Sequence, residues 1–160
     1  MKESRRVVTV EERFMVEALR EAQKALEKDE VPVGAVIVKG GKVIARAHNQ
    51  NVLLKDPTAH AEMVAITEAS ATLRNERLLD AELYVTIEPC AMCAGALVWA
   101  RVKRIIFGAK DPKAGACGSI VNIAHHRKLN HRIAISSGIL EKECRMLIQE
   151  FFKRKRQKEN

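Results

Sequence analysis

The chain has 160 residues, of which 47% are hydrophobic, and it carries a formal net charge of +8 at pH 7. This length and composition suit one domain with a sizeable core and give no sign of a second domain, and the positive charge favours a polyanionic partner. No long apolar segment or signal peptide is present, and four cysteines in such a chain favour a cytoplasmic location without a membrane.

The first predicted element is an amphipathic helix near the N-terminus. Residues 1–8 have no pattern and are predicted to form a flexible end. The residues from Thr9 to Glu12 have the spacing of a capping box, and apolar residues follow at helical intervals as far as Leu26. We therefore expect one domain over residues 9–156, followed by a basic C-terminal tail at 157–160.

Two apolar runs separated by Gly40-Gly41 predict a β-hairpin. The first run, Val31 to Val38, is apolar on both faces, which is typical of a central strand. The second run extends from Lys42 to Ala47. The polar segment from Asn49 to Pro57 is predicted to be a loop.

A helix is predicted from Ala59 to Leu73, with Thr58 as its N-terminal cap. His60 and Glu62 stand at its beginning. Residues two apart on a continuous helix point to different sides, so these side chains converge only in the space ahead of the first turn. We expect this helix start to face a second one.

The second helix start follows the apolar strand Leu83 to Ile87, and Pro89 is expected to open the helix. Cys90 and Cys93 are then in its first turn. The free N–H groups and the dipole of a helix N-terminus lower thiol pKa values, and the thiolate is the form that binds metal.

His60, Cys90 and Cys93 together offer three ligands to a tetrahedral zinc ion. Three protein ligands leave the fourth position to water, as in catalytic rather than structural zinc sites. Glu62 is more suitable as a general base than as a metal ligand, because an oxygen donor combines poorly with two thiolate ligands.

The rest of the chain continues the alternation of strands and helices, which implies an α/β sheet. A strand is predicted from Val102 to Gly108, followed by a glycine-punctuated loop to Gly118. A short strand from Arg132 to Ser136 and a long helix from Ile139 to Lys155 complete the domain.

Two simpler interpretations of the cysteine pair remain open. Cys-x-x-Cys is also found in redox pairs and in structural zinc sites. A structural site would need a fourth ligand from a second set of cysteines and histidines: Cys117, Cys144, His48, His125, His126 or His131.

Five sequence blocks carry a more specific resemblance, and it extends over nearly the whole chain, from about Glu12 to Arg156. The blocks are Val31–Val36, Asp56–Glu62, Leu83–Ala96, Phe107–Lys113 and Asn130–Arg132. They resemble the bacterial tRNA-specific adenosine deaminases of the cytidine/deoxycytidylate deaminase superfamily. The resemblance implies a three-layer α/β/α cytidine-deaminase-like fold with a central five-stranded mixed sheet, which assembles as a homodimer. It also implies a hydrolase that converts the wobble adenosine, position 34 of a tRNA anticodon, to inosine.

The resemblance also implies residue roles. It identifies Glu62 as the proton shuttle, and it assigns one zinc ion per subunit to His60, Cys90 and Cys93. The positions that match substrate-binding residues of the family are Asn49, Ala61 and Asp111.

Basic residues near the C-terminus are expected to hold the phosphates of a tRNA anticodon stem-loop. The candidate RNA contacts are Lys113, Arg154 and Arg156, although a fraying helix end with solvated cations would have the same composition. Trp99 departs from the family pattern and is expected in the core or at a subunit contact.

Two other functions fit the motifs. A deaminase of free bases or nucleosides, of the guanine or cytosine type, shares the zinc residues but needs no basic tail. A non-catalytic RNA-binding module stabilised by zinc would have no use for Glu62 beside an open metal position.

Overall fold

The computed structural model describes residues 5–160, which form five helices and five strands. In chain order these are α1 (Val10–Glu27), β1 (Gly34–Lys39), β2 (Lys42–His48), α2 (Asn51–Leu54), α3 (Ala61–Leu73), β3 (Ala81–Ile87), α4 (Ala91–Trp99), β4 (Arg104–Ala109), β5 (Ala134–Ser137) and α5 (Glu141–Lys158). Within residues 5–160, no helical segment combines the length and the apolarity needed to span a membrane.

The five strands form one mixed sheet in the order β2-β1-β3-β4-β5. β1 pairs antiparallel with both β2 and β3, whereas β3, β4 and β5 run parallel. Parallel neighbours need a crossover connection, and α4 supplies it between β3 and β4. The predicted α/β fold with a central five-stranded mixed sheet is therefore confirmed.

Helices cover both faces of the sheet. The alanines and leucines of α3 and α4 pack on one face with Ile37, Leu83 and Val85. Met15 of α1 and Cys144 of α5 pack on the other face with Val36. Alternate residues of a strand point to opposite faces, so β1 is buried on both sides, as its apolar run predicted.

The first helix approaches the sheet very closely at Gly34. A Cβ atom placed on this residue would lie 1.9 Å from the carbonyl oxygen of Ala18 and 2.4 Å from the backbone nitrogen of Ala22. Both atoms belong to the backbone and have little freedom to move. Glycine at this position allows α1 to pack directly on the beginning of β1.

Helix caps account for several differences between prediction and structure. Thr9 caps α1 as expected, and its hydroxyl accepts the N–H of Glu12. Thr58 does not cap α3, because its hydroxyl donates to the carboxylate of Asp56, and His60 occupies the cap position instead.

The start of α4 also differs from the prediction. Pro89 was expected to open this helix, but the helix begins at Ala91 and Cys90 is its cap. Cys90 is extended and forms an isolated antiparallel bridge with Gly115, which keeps it out of the helix.

The predicted loop between Asn49 and Pro57 was wrong in part, because it contains the short helix α2. Glu30 is buried, and its carboxylate accepts the N–H groups of Val52 and Leu53 at 3.2 and 2.7 Å. These are unpaired donors of a helix N-terminus, so Glu30 stabilises the first turn from a distant part of the sequence.

The chain ends also differ from the prediction. Residues 1–4 of the predicted flexible end lie outside the described residues, and residues 5–9 form neither helix nor strand. α5 continues to Lys158 and so includes the first half of the predicted tail. The side chain of Trp99 is not in the core, since 78% of it is exposed.

Gly34→Ala should lower the free energy of unfolding by at least ~2 kcal/mol, because the new methyl group meets the α1 backbone. Urea denaturation followed by circular dichroism measures the change. Gly40→Asn is the control, since Gly40 lies in open space at a positive φ of 58° that asparagine tolerates. Equal stability of Gly34→Ala and the parent protein would contradict the close approach of α1.

Candidate metal centre and active-site cavity

The starts of α3 and α4 meet at one point, as the two motifs predicted. His60 is the cap of α3, Cys90 is the cap of α4, and Cys93 is the third residue of α4. The Nδ1 atom of His60 lies 3.6 Å from Sγ of Cys90 and 3.5 Å from Sγ of Cys93. The three potential ligand atoms all lie within 4.8 Å of one another.

These distances fit a tetrahedral zinc ion. Zinc binds histidine nitrogen at ~2.05 Å and cysteine sulfur at ~2.3 Å, so the N–S edge of a tetrahedron is ~3.5 Å long. The two N–S distances of 3.6 and 3.5 Å agree with that edge. Imidazole with two thiols is also a donor set that favours zinc over calcium or magnesium.

The simpler interpretation as a closed structural site lacks a fourth ligand. Within residues 5–160, no further histidine, cysteine or carboxylate joins the three-residue cluster. Cys144 packs in the core on the other face of the sheet. His125 and His131 use ring nitrogens in hydrogen bonds to the carbonyl oxygens of Ile133 and Val102.

The cluster contains one thiolate before any metal is bound. Hydrogen bonds from the Cys93 thiol and from His60 lower the pKa of Cys90 to about 3. The same hydrogen bond to Cys90, together with burial, raises the pKa of Cys93. The interaction with Cys90 also raises the pKa of His60. One ligand is therefore ready to bind, and the other two must lose protons.

Glu62 lies beside the cluster, at the second position of α3, with only 4% of its surface exposed. Burial raises its pKa, because the charged carboxylate loses its hydration. It lines the same cavity as His60 and Cys90. A carboxyl group with a raised pKa next to a metal cluster is suited to accept and return a proton.

The cluster forms part of the wall of a cavity of about 730 Å³. Asn49, at the end of β2, and Asp111 and Lys113, in the loop after β4, line this cavity. Asn49 is 5% exposed, and its backbone N–H donates to the carbonyl oxygen of Val33. The structure thus brings three predicted contact residues to the predicted metal site.

Other predicted contact residues lie elsewhere. Ala61 is fully buried on the core side of α3. Arg154 is exposed, pairs with Glu150 at 2.6 Å and is not among the residues that line the cavity. Arg156 is exposed one helical turn beyond Phe152, a cavity residue, and so lies on the same side of α5 as Phe152.

Sequence patterns missed part of the cavity wall. α5 contributes four cavity residues, Arg145, Ile148, Gln149 and Phe152, which repeat at helical spacing on one side of that helix. That spacing was visible in the sequence, but nothing showed that this side would face the metal cluster.

Glu88 was also missed, although it stands inside the cysteine motif and is 3% exposed. Burial opposes its ionisation, but hydrogen bonds from Ser119, Asp111 and Cys117 outweigh burial and lower its pKa. A carboxylate at the end of a buried strand was the signal that could have identified it.

Comparison with known proteins agrees with this site. A family model described as MafB19-like deaminase matches residues 10–156. A tRNA-specific adenosine deaminase of Bacillus subtilis (strain 168) is 48% identical over 151 residues, which cover 94% of this chain and 94% of that protein. The chain belongs to the tRNA-specific adenosine deaminases.

Solved structures of two related deaminases have the same fold as this chain. A structure from work on tRNA:A34 deaminases, which edit A to I at the wobble position of transfer RNA, superposes with a TM-score of 0.82 at 47% identity. The match covers 84% of this chain and 98% of that chain. A guanine deaminase from Nitrosomonas europaea superposes with a TM-score of 0.74 at 26% identity, covering 94% and 88%.

Zinc affinity of this deaminase should increase with pH. Zinc must displace protons from His60 and Cys93, whose pKa values are raised, so protons compete with the metal. We expect the affinity to keep rising with pH above 6.5, the ordinary pKa of histidine, in competition titrations with a chelating dye.

The control for this titration is His126→Ala, because His126 is exposed and lies outside the cluster. This variant should keep the pH dependence of the parent protein, whereas His60→Ala should lose tight zinc binding. An affinity that does not change with pH would contradict the protonation of the metal-free cluster.

Proposed function

We propose that this protein hydrolyses the wobble adenosine, position 34 of a tRNA anticodon, to inosine, with one zinc ion per protomer. The observation that carries the proposal is the buried carboxyl group of Glu62 beside the His60, Cys90 and Cys93 cluster, with Glu62, His60 and Cys90 lining one cavity. Membership of the tRNA-specific adenosine deaminases supports the choice of substrate.

The three residues that would hold the metal are His60, through Nδ1, and Cys90 and Cys93, through their sulfur atoms. Zinc bound there supplies a Lewis acid that lowers the pKa of water toward ~7 and so provides a nucleophile at neutral pH. Three protein ligands leave one coordination position for that purpose.

Glu62 would perform the proton transfers. As a carboxylate it accepts a proton from the water molecule that adds to C6 of adenine. As a carboxylic acid it donates that proton to N1 of the ring. It then takes the proton of the hydroxyl group now on C6 and passes it to the amino group, so that the C–N bond breaks, ammonia leaves and C6 becomes the carbonyl carbon of inosine. The buried position of Glu62 favours this exchange, because the loss of hydration raises its pKa and makes the protonated form more accessible than in an exposed carboxyl group.

The cavity suits one flipped nucleotide of an RNA loop. Val31, Val33, Ile87 and Phe152 give it apolar walls, and Asn49 offers a buried amide for a base or ribose. Anticodon loops present unstacked bases, whereas a duplex hides them. Lys113 at the cavity wall and Arg156 farther along α5 would contact phosphates, and Asp111 the preceding nucleotide.

A second copy of the chain would cover the outer face of α4. This face consists of Met92, Gly95, Ala96 and Trp99, which follow at helical spacing and are partly or fully exposed. α4 contains no charged residue, and a helix that is apolar all round is normally buried. A homodimer through this face accounts for the exposed Trp99.

Free cysteines and a tRNA substrate fit a cytoplasmic location.

The function is tested with the zinc-loaded protein and a tRNA anticodon stem-loop bearing adenosine at position 34. Sequencing should detect inosine at that position alone. Glu62→Gln should lower kcat by at least ~100-fold, because it removes the general acid–base group, while zinc remains bound. Glu68→Gln, an exposed change on the same helix, should keep full activity.

The alternatives give different results in the same assay. A free-base deaminase, such as a guanine deaminase, would convert free guanine or cytosine, leave the stem-loop unchanged and be insensitive to salt. A non-catalytic RNA-binding module would bind the stem-loop without forming inosine. Either result would overturn the proposed function.

Trp99→Glu should convert the dimer into a monomer, because a carboxylate in an apolar interface is left without a partner. Analytical ultracentrifugation measures the change in mass. Met146→Glu is the control, because Met146 is 56% exposed on α5 and lies outside the α4 face. A monomeric parent protein, or a Trp99→Glu variant that stays dimeric, would contradict an interface at α4.

A further inference from the structure

Glu88 follows β3 directly, between the strand and Cys90, and its carboxylate is directed into the loop 110–119. Oε1 accepts the backbone N–H of Asp111 at 3.1 Å and the hydroxyl of Ser119. Oε2 accepts the backbone N–H groups of Cys117 and Ser119, each at 3.1 Å. One buried carboxylate therefore holds three separate points of the loop.

These four hydrogen bonds decide what Glu88 can do. An ionised carboxylate has about four acceptor sites on its two oxygens, and the loop fills that capacity. Although Glu88 contributes to the cavity wall, it has little capacity left for a substrate or a metal ion. Its role must therefore be exerted through the loop.

Gly115 shows how closely the loop surrounds this carboxylate. A Cβ atom on Gly115 would lie 2.3 Å from Oε2 of Glu88 and 2.6 Å from the carbonyl oxygen of Asp111. No larger residue fits without moving the loop or the carboxylate. The position of the Glu88 carboxylate therefore requires glycine at residue 115.

The loop carries predicted substrate contacts into the cavity. Residues 110–114 all line the cavity, among them Asp111 and Lys113. Asp111 is itself held by Glu88 through its backbone N–H, while its own carboxylate accepts the N–H groups of Lys113 and Ala114 at 3.0 and 3.1 Å. The position of Glu88 therefore fixes where these side chains lie.

We propose that Glu88 is a positioning residue for substrate binding, which holds the loop 110–119 so that Asp111 and Lys113 face the RNA. This inference rests on the proposed function for the identity of the substrate. The turn Pro89–Cys90, here called the metal turn, depends less on Glu88, because backbone contacts also join it to the loop. Ala116 donates its N–H to the carbonyl oxygen of Pro89 at 2.8 Å, and Gly115 forms a bridge with Cys90.

The test is Glu88→Gln in the zinc-loaded protein, assayed with the anticodon stem-loop. Glutamine keeps the shape but turns an amide NH₂ toward backbone N–H groups, so part of the loop loses its acceptor. We expect KM to rise about tenfold while kcat changes less than about threefold, as for a lost binding interaction. The zinc content should equal that of the parent protein.

Glu21→Gln is the matched control. Glu21 is buried to a similar degree, with 5% exposed, but its carboxylate pairs with Lys24 on the same helix, α1. This variant should leave KM and kcat unchanged. Ser119→Ala is a milder change, because it removes only the hydroxyl donor. It should raise KM by about threefold without loss of zinc.

Other results would overturn the proposal. A lower kcat at constant KM would place Glu88 in the chemistry, and loss of zinc would make it a support of the metal turn. Hydrogen exchange separates this inference from the proposed function: exchange at Asp111, Cys117 and Ser119 should be faster in Glu88→Gln. Unchanged exchange overturns the inference, whereas a parent protein inactive on the stem-loop overturns the proposed function.

Discussion

The convergence of two helix N-termini is the constraint on which the rest of the structure depends. His60 and Cys90 are both cap residues with extended backbones, so their side chains project ahead of α3 and α4 rather than along them. Each helix end also presents unpaired N–H groups that favour negative charge. The sheet fixes where the two ends meet, since β3 leads directly into the cysteine turn and the loop after β4 packs on it.

Three buried carboxylates, Glu30, Glu62 and Glu88, differ in role because their surroundings differ. Glu30 and Glu88 are each surrounded by backbone N–H donors, and both stabilise a segment that is distant in sequence. Glu62 lies instead against the metal cluster, and burial raises its pKa while hydrogen bonding lowers that of Glu88. The same functional group therefore holds a loop at Glu88 and, in the proposed function, carries protons at Glu62.

Local sequence patterns predicted the elements and the donor set, but long-range contacts determined their details. The alternation of strands and helices, the Thr9 cap and the spacing of His60, Cys90 and Cys93 were all visible in short windows of sequence. Thr58 was a wrong cap because Asp56 binds its hydroxyl, and α2 was missed because Glu30, 22 residues away from Val52, completes it. The role of Glu88 was hidden for the same reason, since its partners lie 23 to 31 residues farther along the chain.

The mixed sheet also determines the order in which the metal cluster can form during folding. β1 and β2 form a local hairpin, which closes quickly, whereas the pairing of β1 with β3 joins segments separated by more than forty residues. His60 lies in the connection between these segments, and both cysteines follow β3. Cys90 and Cys93 are therefore close to each other through local sequence alone, whereas His60 joins them only when β3 enters the sheet.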